Sequence, residues 1–347
     1  MLFSGTDCPI ICCTSANEVK CAVSVYVKCG DSVLEVGSER NDVSSHICRS
    51  VGSDGMVFLA DKKRANDKWL GSEEESFADR VSVTELKSLG DWRKTLFDGD
   101  VHYDVIILGI SHLVGLDLYM TQLVMAHEML QCCARQPRVM IVKSKKLYSL
   151  SRRLIHSHKL FDGSSQVPSD IERSSEPAIV ATVKVEEYRN THTYLVKESD
   201  AILELGCHFG QTTKLLEKAG RFCIGVDIGS KIIRNAQRQH PEISFAVGDA
   251  WKTMALIQFR KELKGEDELG FDLVYVDVGG LSGSDGQLES LSLLEALGCA
   301  LQPRAIVIKS LCMRDLASRL KFWPDLHDKI TAKHVESYCA ESIEMVS

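Results

Sequence analysis

The segment LELGCHFGQTTKLLEKAG, beginning at Leu203, places an acid and two glycines as Glu204-x-Gly206-x-x-x-Gly210 between an apolar run and a helix-forming one. Glycine at such a turn lets a ligand approach backbone atoms closely. The chain has no GxxxxGK[ST] pattern, so the turn is not a phosphate loop of that type. Further on, Asp227 ends a second β-rich run, and Gly248-Asp249-Ala250-Trp251 follows a third. Asp277 closes FDLVYVD, and Lys309 closes AIVIK. An acid at the end of the second strand of a nucleotide-binding sheet suits ribose hydroxyls; an Asp before a helix also serves as its cap. Trp251 can cover a flat ring or fill a core. Asp277 and Lys309 together could orient or deprotonate a hydroxyl, the carboxylate fixing the amine.

Positioning these groups requires alternating strands and helices. The sequence predicts strands at 201–205, 222–226, 243–247, 273–276 and 305–308. Helices are predicted at 212–219, ending before Gly220, at 231–239, ending before Pro241, and at 288–297. Such alternation specifies an α/β fold with a mainly parallel sheet, whose ligands bind beyond the carboxyl ends of the strands.

The chain also repeats itself. YVKCGDSVLEVG from Tyr26 matches LVKESDAILELG from Leu195, and QPRVMIVKSKKLYSLSRRL from Gln136 matches QPRAIVIKSLCMRDLASRL from Gln302. Between them Tyr103–Ile107 matches Phe271–Tyr275. Upstream, Pro9-Ile10-Ile11 and Pro177-Ala178-Ile179-Val180 place a short strand at the start of each copy. One offset of roughly 170 residues relates these matches, the spacing of a domain duplication rather than of a solenoid. The expected organisation is a first domain at 1–162, a linker at 163–176 rich in Ser, Pro and charge, and a second domain at 177–347.

In order, the Glu204–Gly210 turn, Asp227, Asp249 and the strand ending in Asp277 resemble the motifs of class I S-adenosylmethionine-dependent methyltransferases. The resemblance covers most of the second copy. It implies two tandem Rossmann-like methyltransferase domains and S-adenosyl-L-methionine as cofactor. Glu204, Gly206, Gly210, Asp227, Asp249 and Trp251 would be the cofactor-binding residues, with Asp249 on the adenine amino group. The Asp277–Lys309 pair and the Asp277-Val278-Gly279-Gly280 turn are similar to those of ribose 2′-O-methyltransferases and fibrillarin-like proteins. That likeness implies an RNA ribose hydroxyl as methyl acceptor and Asp277 and Lys309 as catalytic residues. Those families use a further Lys and a late Glu or His, for which Lys197, His334 and Glu336 are the candidates here. A small-molecule or protein acceptor, or a noncatalytic scaffold of two retired domains, are the alternatives. No Asn/Asp-Pro-Pro-Tyr/Phe motif, the usual signature of base amino-methylation, follows the fourth strand.

The first copy keeps Glu35, Gly37 and, at the position of Asp227, Asp61, but has Asn41 where the second has Gly210, and Gly109 where the second has Asp277. It reads as a degenerate copy serving packing, substrate binding or regulation; two working sites are the alternative. Its basic stretch, Lys143 to Arg153, either contacts phosphates or forms a charged helix face.

The 44% hydrophobic content supports a sizeable core, and the net charge of −7 gives no bulk argument for nucleic acid. No run reaches the roughly 20 apolar residues of a membrane helix. MLFSGTDCPIICC lacks a basic region, and Asp7 interrupts its apolar run, so no secretory leader is expected. The 13 scattered cysteines, with no CxxC and no zinc spacing, fit a reducing cytoplasmic or nuclear compartment and no metal. After Lys309 the sequence predicts a helix at 314–321. His334 to Val346 reads as one final strand region. The family usually completes its sheet with an antiparallel hairpin, so either the second copy is abbreviated or the copies share strands.

Overall fold

The computed structural model describes residues 8–37, 41–61, 79–86, 95–97, 102–109, 119–161, 176–264, 270–281, 283 and 286–323. The proposed linker lies outside them except for Glu176, as do His334, Glu336 and the strand region expected at 334–346. Two compact units are present. The first unit is formed by the described residues up to 152 together with those from 319 onward, and the second unit by residues 153–318.

The first unit contains β1 (Ile10–Cys13), α1 (Ala16–Tyr26), β2 (Ser32–Val36), α2 (Asn41–Val51), β3 (Met56–Asp61), β4 (Val81–Glu85), β5 (Val105–Leu108), α3 (Tyr119–Cys132), β6 (Val139–Lys143) and α4 (Lys145–Arg153). The second contains β7 (Leu154–His156), α5 (His158–Phe161), β8 (Ala178–Thr182), α6 (Val185–Asn190), α7 (His192–Leu195), β9 (Ala201–Leu205), α8 (Gln211–Ala219), β10 (Phe222–Asp227), α9 (Ser230–Gln239) and β11 (Ser244–Val247). It continues through α10 (Thr253–Lys264), β12 (Leu273–Val276), α11 (Gln287–Leu301), β13 (Ala305–Lys309) and α12 (Leu311–Arg319). The chain then adds β14 (Leu320–Phe322) to the first unit.

Each unit is a 7-stranded sheet, ordered β14-β1-β6-β5-β2-β3-β4 in the first and β11-β10-β9-β12-β13-β8-β7 in the second. Read from opposite ends, the two orders are the same, and every strand pair is parallel. Both are thus the Rossmann-like α/β folds expected. The order reverses at β9 and β12, where a doubly wound sheet opens a crevice. No antiparallel hairpin completes either sheet among the described residues. Each closes on a parallel strand that precedes its glycine turn, then on a three-residue strand from the end of the other sequence copy. The helix predicted at 314–321 therefore stops at Arg319. Leu320, Lys321 and Phe322 pair instead with Ile10, Ile11 and Cys12, and Trp323 donates its N–H to the Cys12 carbonyl at 2.9 Å and packs into the first unit's core.

The central strands are buried on both faces, which explains their continuous apolar runs. An ion pair ties the amino end of each sheet. In the second unit Arg304 donates to both carboxylate oxygens of buried Asp200, at 2.7 and 2.6 Å, and to the Leu195 carbonyl at 2.5 Å. Arg138 repeats this on Asp31 and the Tyr26 carbonyl, but from a more exposed position. Arg304→Ala is expected to cost about 3–5 kcal/mol, because it leaves a buried carboxylate unpaired. Arg138→Ala is expected to cost less; urea denaturation of the two variants checks the ranking.

Candidate functional site

At the carboxyl end of β9 the chain turns through Gly206 at φ 82°, and a Cβ there would overlap the carbonyl oxygen of Asp277. Only glycine lets β9 and β12 come this close. Gly210 caps α8 at φ 79°, and a Cβ there would overlap the Phe245 ring. Between them His208 adopts φ 49°, unusual for a residue with a side chain.

A cleft of about 360 Å³ opens above this turn. Of the eight residues singled out in the sequence, Gly206, Asp227, Asp249, Trp251 and Asp277 line it. Asp227 Oδ1 accepts the Gly229 N–H at 2.8 Å, and Oδ2 accepts that of His208 at 3.3 Å, so the carboxylate braces both loops of the cleft. It does not cap α9, whose cap is Gly229. Asp249 Oδ1 accepts the Trp251 N–H at 3.0 Å, which sets the indole at the rim, 48% exposed. Ile228, 74% exposed, is a further lining residue that the sequence reading missed. An isoleucine directly after a strand-ending acid, at a position where a sheet meets solvent, was the available signal.

Lys309 lies one strand beyond Asp277, and its Nζ donates to Asp277 Oδ2 at 2.6 Å. The two side chains are 17% and 25% exposed; Asp277 lines the cleft, and Lys309 stands behind it outside the lining. Glu204 and Gly210 stand apart from the cleft lining. Glu204 is fully buried and accepts the Thr213 hydroxyl at 2.5 Å, tying β9 to α8; Glu35 and Ser44 repeat this at 2.6 Å. Burial pushes the Glu204 carboxyl up from 4.5 to about 8; the Thr213 hydrogen bond opposes that rise and the charge of Asp277 adds to it. Lys197 precedes β9 at the opposite end of the strand, where its N–H bonds Asp200. Among the described residues no group of His, Cys, Asp and Glu could hold a metal ion, and no helix is long and apolar enough to cross a membrane.

The first unit has a small cavity of about 30 Å³ lined by Ala16, Glu35, Gly37, Gly109 and Lys143 among others, of which only Gly37 and Gly109 correspond to residues of the cleft. Residues 62–78 and 110–118, beside the corresponding strand ends, lie outside the described residues. A Cβ at Gly109 would sit 3.0 Å from the Gly37 carbonyl oxygen, so the aspartate of the second unit could not enter without a displacement of the backbone. Of its basic stretch, Arg153 is buried in the second unit against Glu176 and Glu295.

No protein-family model and no curated protein matches the chain. Among solved structures it is similar to the YcgJ protein of Bacillus subtilis, at 19% identity and TM-score 0.23 over 29% of this chain and 41% of that one. It is similar to a TehB-like SAM-dependent methyltransferase of Corynebacterium glutamicum, at 20% identity and TM-score 0.27 over 38% of this chain and 71% of that one. A third is the sugar N-methyltransferase KedS8 of a Streptoalloteichus species, at 16% and 0.27 over 36% and 46%. The chain spans less than half the length of the first of these. At such scores the strand order and the cleft, rather than the likenesses, carry the functional reading.

Two substitutions test the geometry. Gly206→Ala is expected to lower stability by about 3 kcal/mol or more through overlap and left-handed strain. Gly279→Ala, with nothing within 4 Å of its Cβ, is expected to be nearly neutral; thermal unfolding compares them. Because Glu204 holds its proton more tightly folded than unfolded, its contribution is full below the ordinary carboxylate range. It is lost as pH rises from 4.5 through about 8. Glu204→Gln should flatten that decline. In urea titrations the variant is expected to gain about 3 kcal/mol on the wild type between pH 5 and pH 9.

Proposed function

We propose that the second unit binds S-adenosyl-L-methionine in the 360 Å³ cleft and transfers its methyl group to a ribose 2′-hydroxyl of RNA. The observation that carries this reading is that Gly206, Asp227, Asp249 and Trp251 converge on one cleft whose far wall is Asp277, paired at 2.6 Å to Lys309. The residues present fit the cofactor. The volume is that of a small-molecule site. Glycine backbone forms the floor, Asp227 stands where ribose hydroxyls need an acceptor, and Ile228 and Trp251 offer apolar faces beside the Asp249 acid. Glu204 and Gly210 support the turn from beneath. Gly109 in place of Asp277 and Asn41 in place of Gly210 support reading the first unit as degenerate.

The cofactor supplies a methyl group already activated by its sulfonium. The chain's task is alignment and proton handling. Lys309, held by Asp277, keeps further N–H donors to fix an acceptor oxygen, and the carboxylate of Asp277 can accept the hydroxyl proton. The first unit retains Lys143 but has Gly109 in place of the acid, so it lacks the proton acceptor.

Incubating the full chain with methyl-labelled cofactor and RNA, followed by nucleoside digestion, tests the reading. Label is expected on ribose 2′-oxygen. Asp277→Ala and Lys309→Ala are each expected to cut turnover about 100-fold while cofactor affinity stays within about threefold. Labelled base, labelled protein or no labelled product would contradict it.

A further inference from the structure

Beyond Lys309, the carboxyl edge of the second sheet continues through β8 to β7, and its polar groups there are not used by the chemistry above. Thr182 stands opposite Lys309, and His156 opposite Ala181. Strands lie about 4.8 Å apart, so His156 is about 10 Å along the edge from the Lys309 backbone. Arg314, in the first turns of α12, donates Nε–H to His156 Nε2 at 2.7 Å, and its Nη1 lies 3.4 Å from Glu187 Oε2. Glu187 is itself fixed by Ser157 and by the backbone N–H groups of Val183 and Lys184. Burial, then the Arg314 charge, press His156 down to about 4, so it holds the guanidinium as a neutral acceptor, and the Glu187 carboxylate is the ion-pair partner of Arg314. The His158 ring stacks on His156 at 5.2 Å and 25° and is 65% exposed.

The first unit provides an internal control. Its equivalents of Arg314 and His156 are Tyr148 and Phe322, which make an edge-to-face ring contact at 5.9 Å. The equivalent of Glu187 is Glu18, which keeps the loop-bracing role through the Thr14 N–H. The polar pair is thus present where Asp277 is present, and apolar where Gly109 replaces it. Bracing of the fold alone would need no such difference.

We propose that Arg314, oriented by His156 and Glu187, and the exposed ring of His158 form a subsite for single-stranded RNA beside the methylated nucleotide. The guanidinium takes a phosphate oxygen, and the imidazole takes the face of an unpaired base. This rests on the reading of the second unit as an RNA ribose methyltransferase. Planar guanidinium suits phosphate, and exposed rings beside cationic groups are how unpaired bases are held without groove reading.

The test is fluorescence anisotropy of the full chain with a labelled single-stranded RNA oligonucleotide, with cofactor titrated separately. His158→Ala and Arg314→Gln are each expected to weaken RNA binding about tenfold, raising KM for RNA more than lowering kcat, with cofactor affinity unchanged. Tyr148→Ala in the first unit is expected to leave RNA affinity unaltered. Because His158 is exposed, its variant carries the test if Arg314→Gln fails to fold. RNA binding equal to wild type in His158→Ala, or equal binding of the same RNA as a duplex, would overturn the subsite while leaving the methyltransfer reading standing. A wild-type chain that binds cofactor but no RNA would overturn both the subsite and the RNA acceptor.

Discussion

The site depends on one close approach, the backbone of Gly206 lying against the carbonyl of Asp277. β9 and β12 are the strands at which the sheet reverses order, and helices leave them on opposite sides. The contact joins the two loops across that divide. It forms the floor of the cleft and fixes where Asp277 leaves its strand, and hence where Lys309 on the next strand can meet it. Beneath the contact, buried Glu204 ties the same turn to α8 through Thr213. A side chain at 206 would push these loops apart and separate the cleft from its acid–amine pair.

The first unit shows what the same scaffold does without the site. It keeps the strand order, the glutamate–hydroxyl tie, the arginine–aspartate clamp and the terminal lysine. It has glycine for aspartate at 109, and paired rings where the second unit has a histidine and an arginine. Groups shared by both copies include Gly37 and Gly206, Asp61 and Asp227, and Lys143 and Lys309; Asp277, His156 and Arg314 are found in the second alone.

Much of this was legible in the sequence, because buried parallel strands write themselves as unbroken apolar runs. AILEL, FCIGVD and LVYV stand nearly where their patterns place them. The Asp277–Lys309 pair was legible because both residues end strands, and strand ends gather at one edge. The sharing of strands was open in the sequence but not decidable. β7 and β14 have three residues each, too few for periodicity, and Leu320-Lys321 follows a helix without a break. His156 and Arg314 escaped notice for the same reason. They lie 158 residues apart, and only the pairing of β7 with β8 brings them together. Ile228 was missed although its place directly after the strand-ending Asp227 marks it.

The most direct test of the central claim is the stoichiometry of S-adenosyl-L-methionine binding by titration calorimetry of the full chain. One site per chain is predicted, lost in Asp227→Ala and kept when Glu35, in the first unit, is changed to Gln. Two sites, or a single site insensitive to Asp227, would contradict the assignment of the cofactor to the second unit. No site at all would leave the paired sheets as a scaffold without the proposed chemistry.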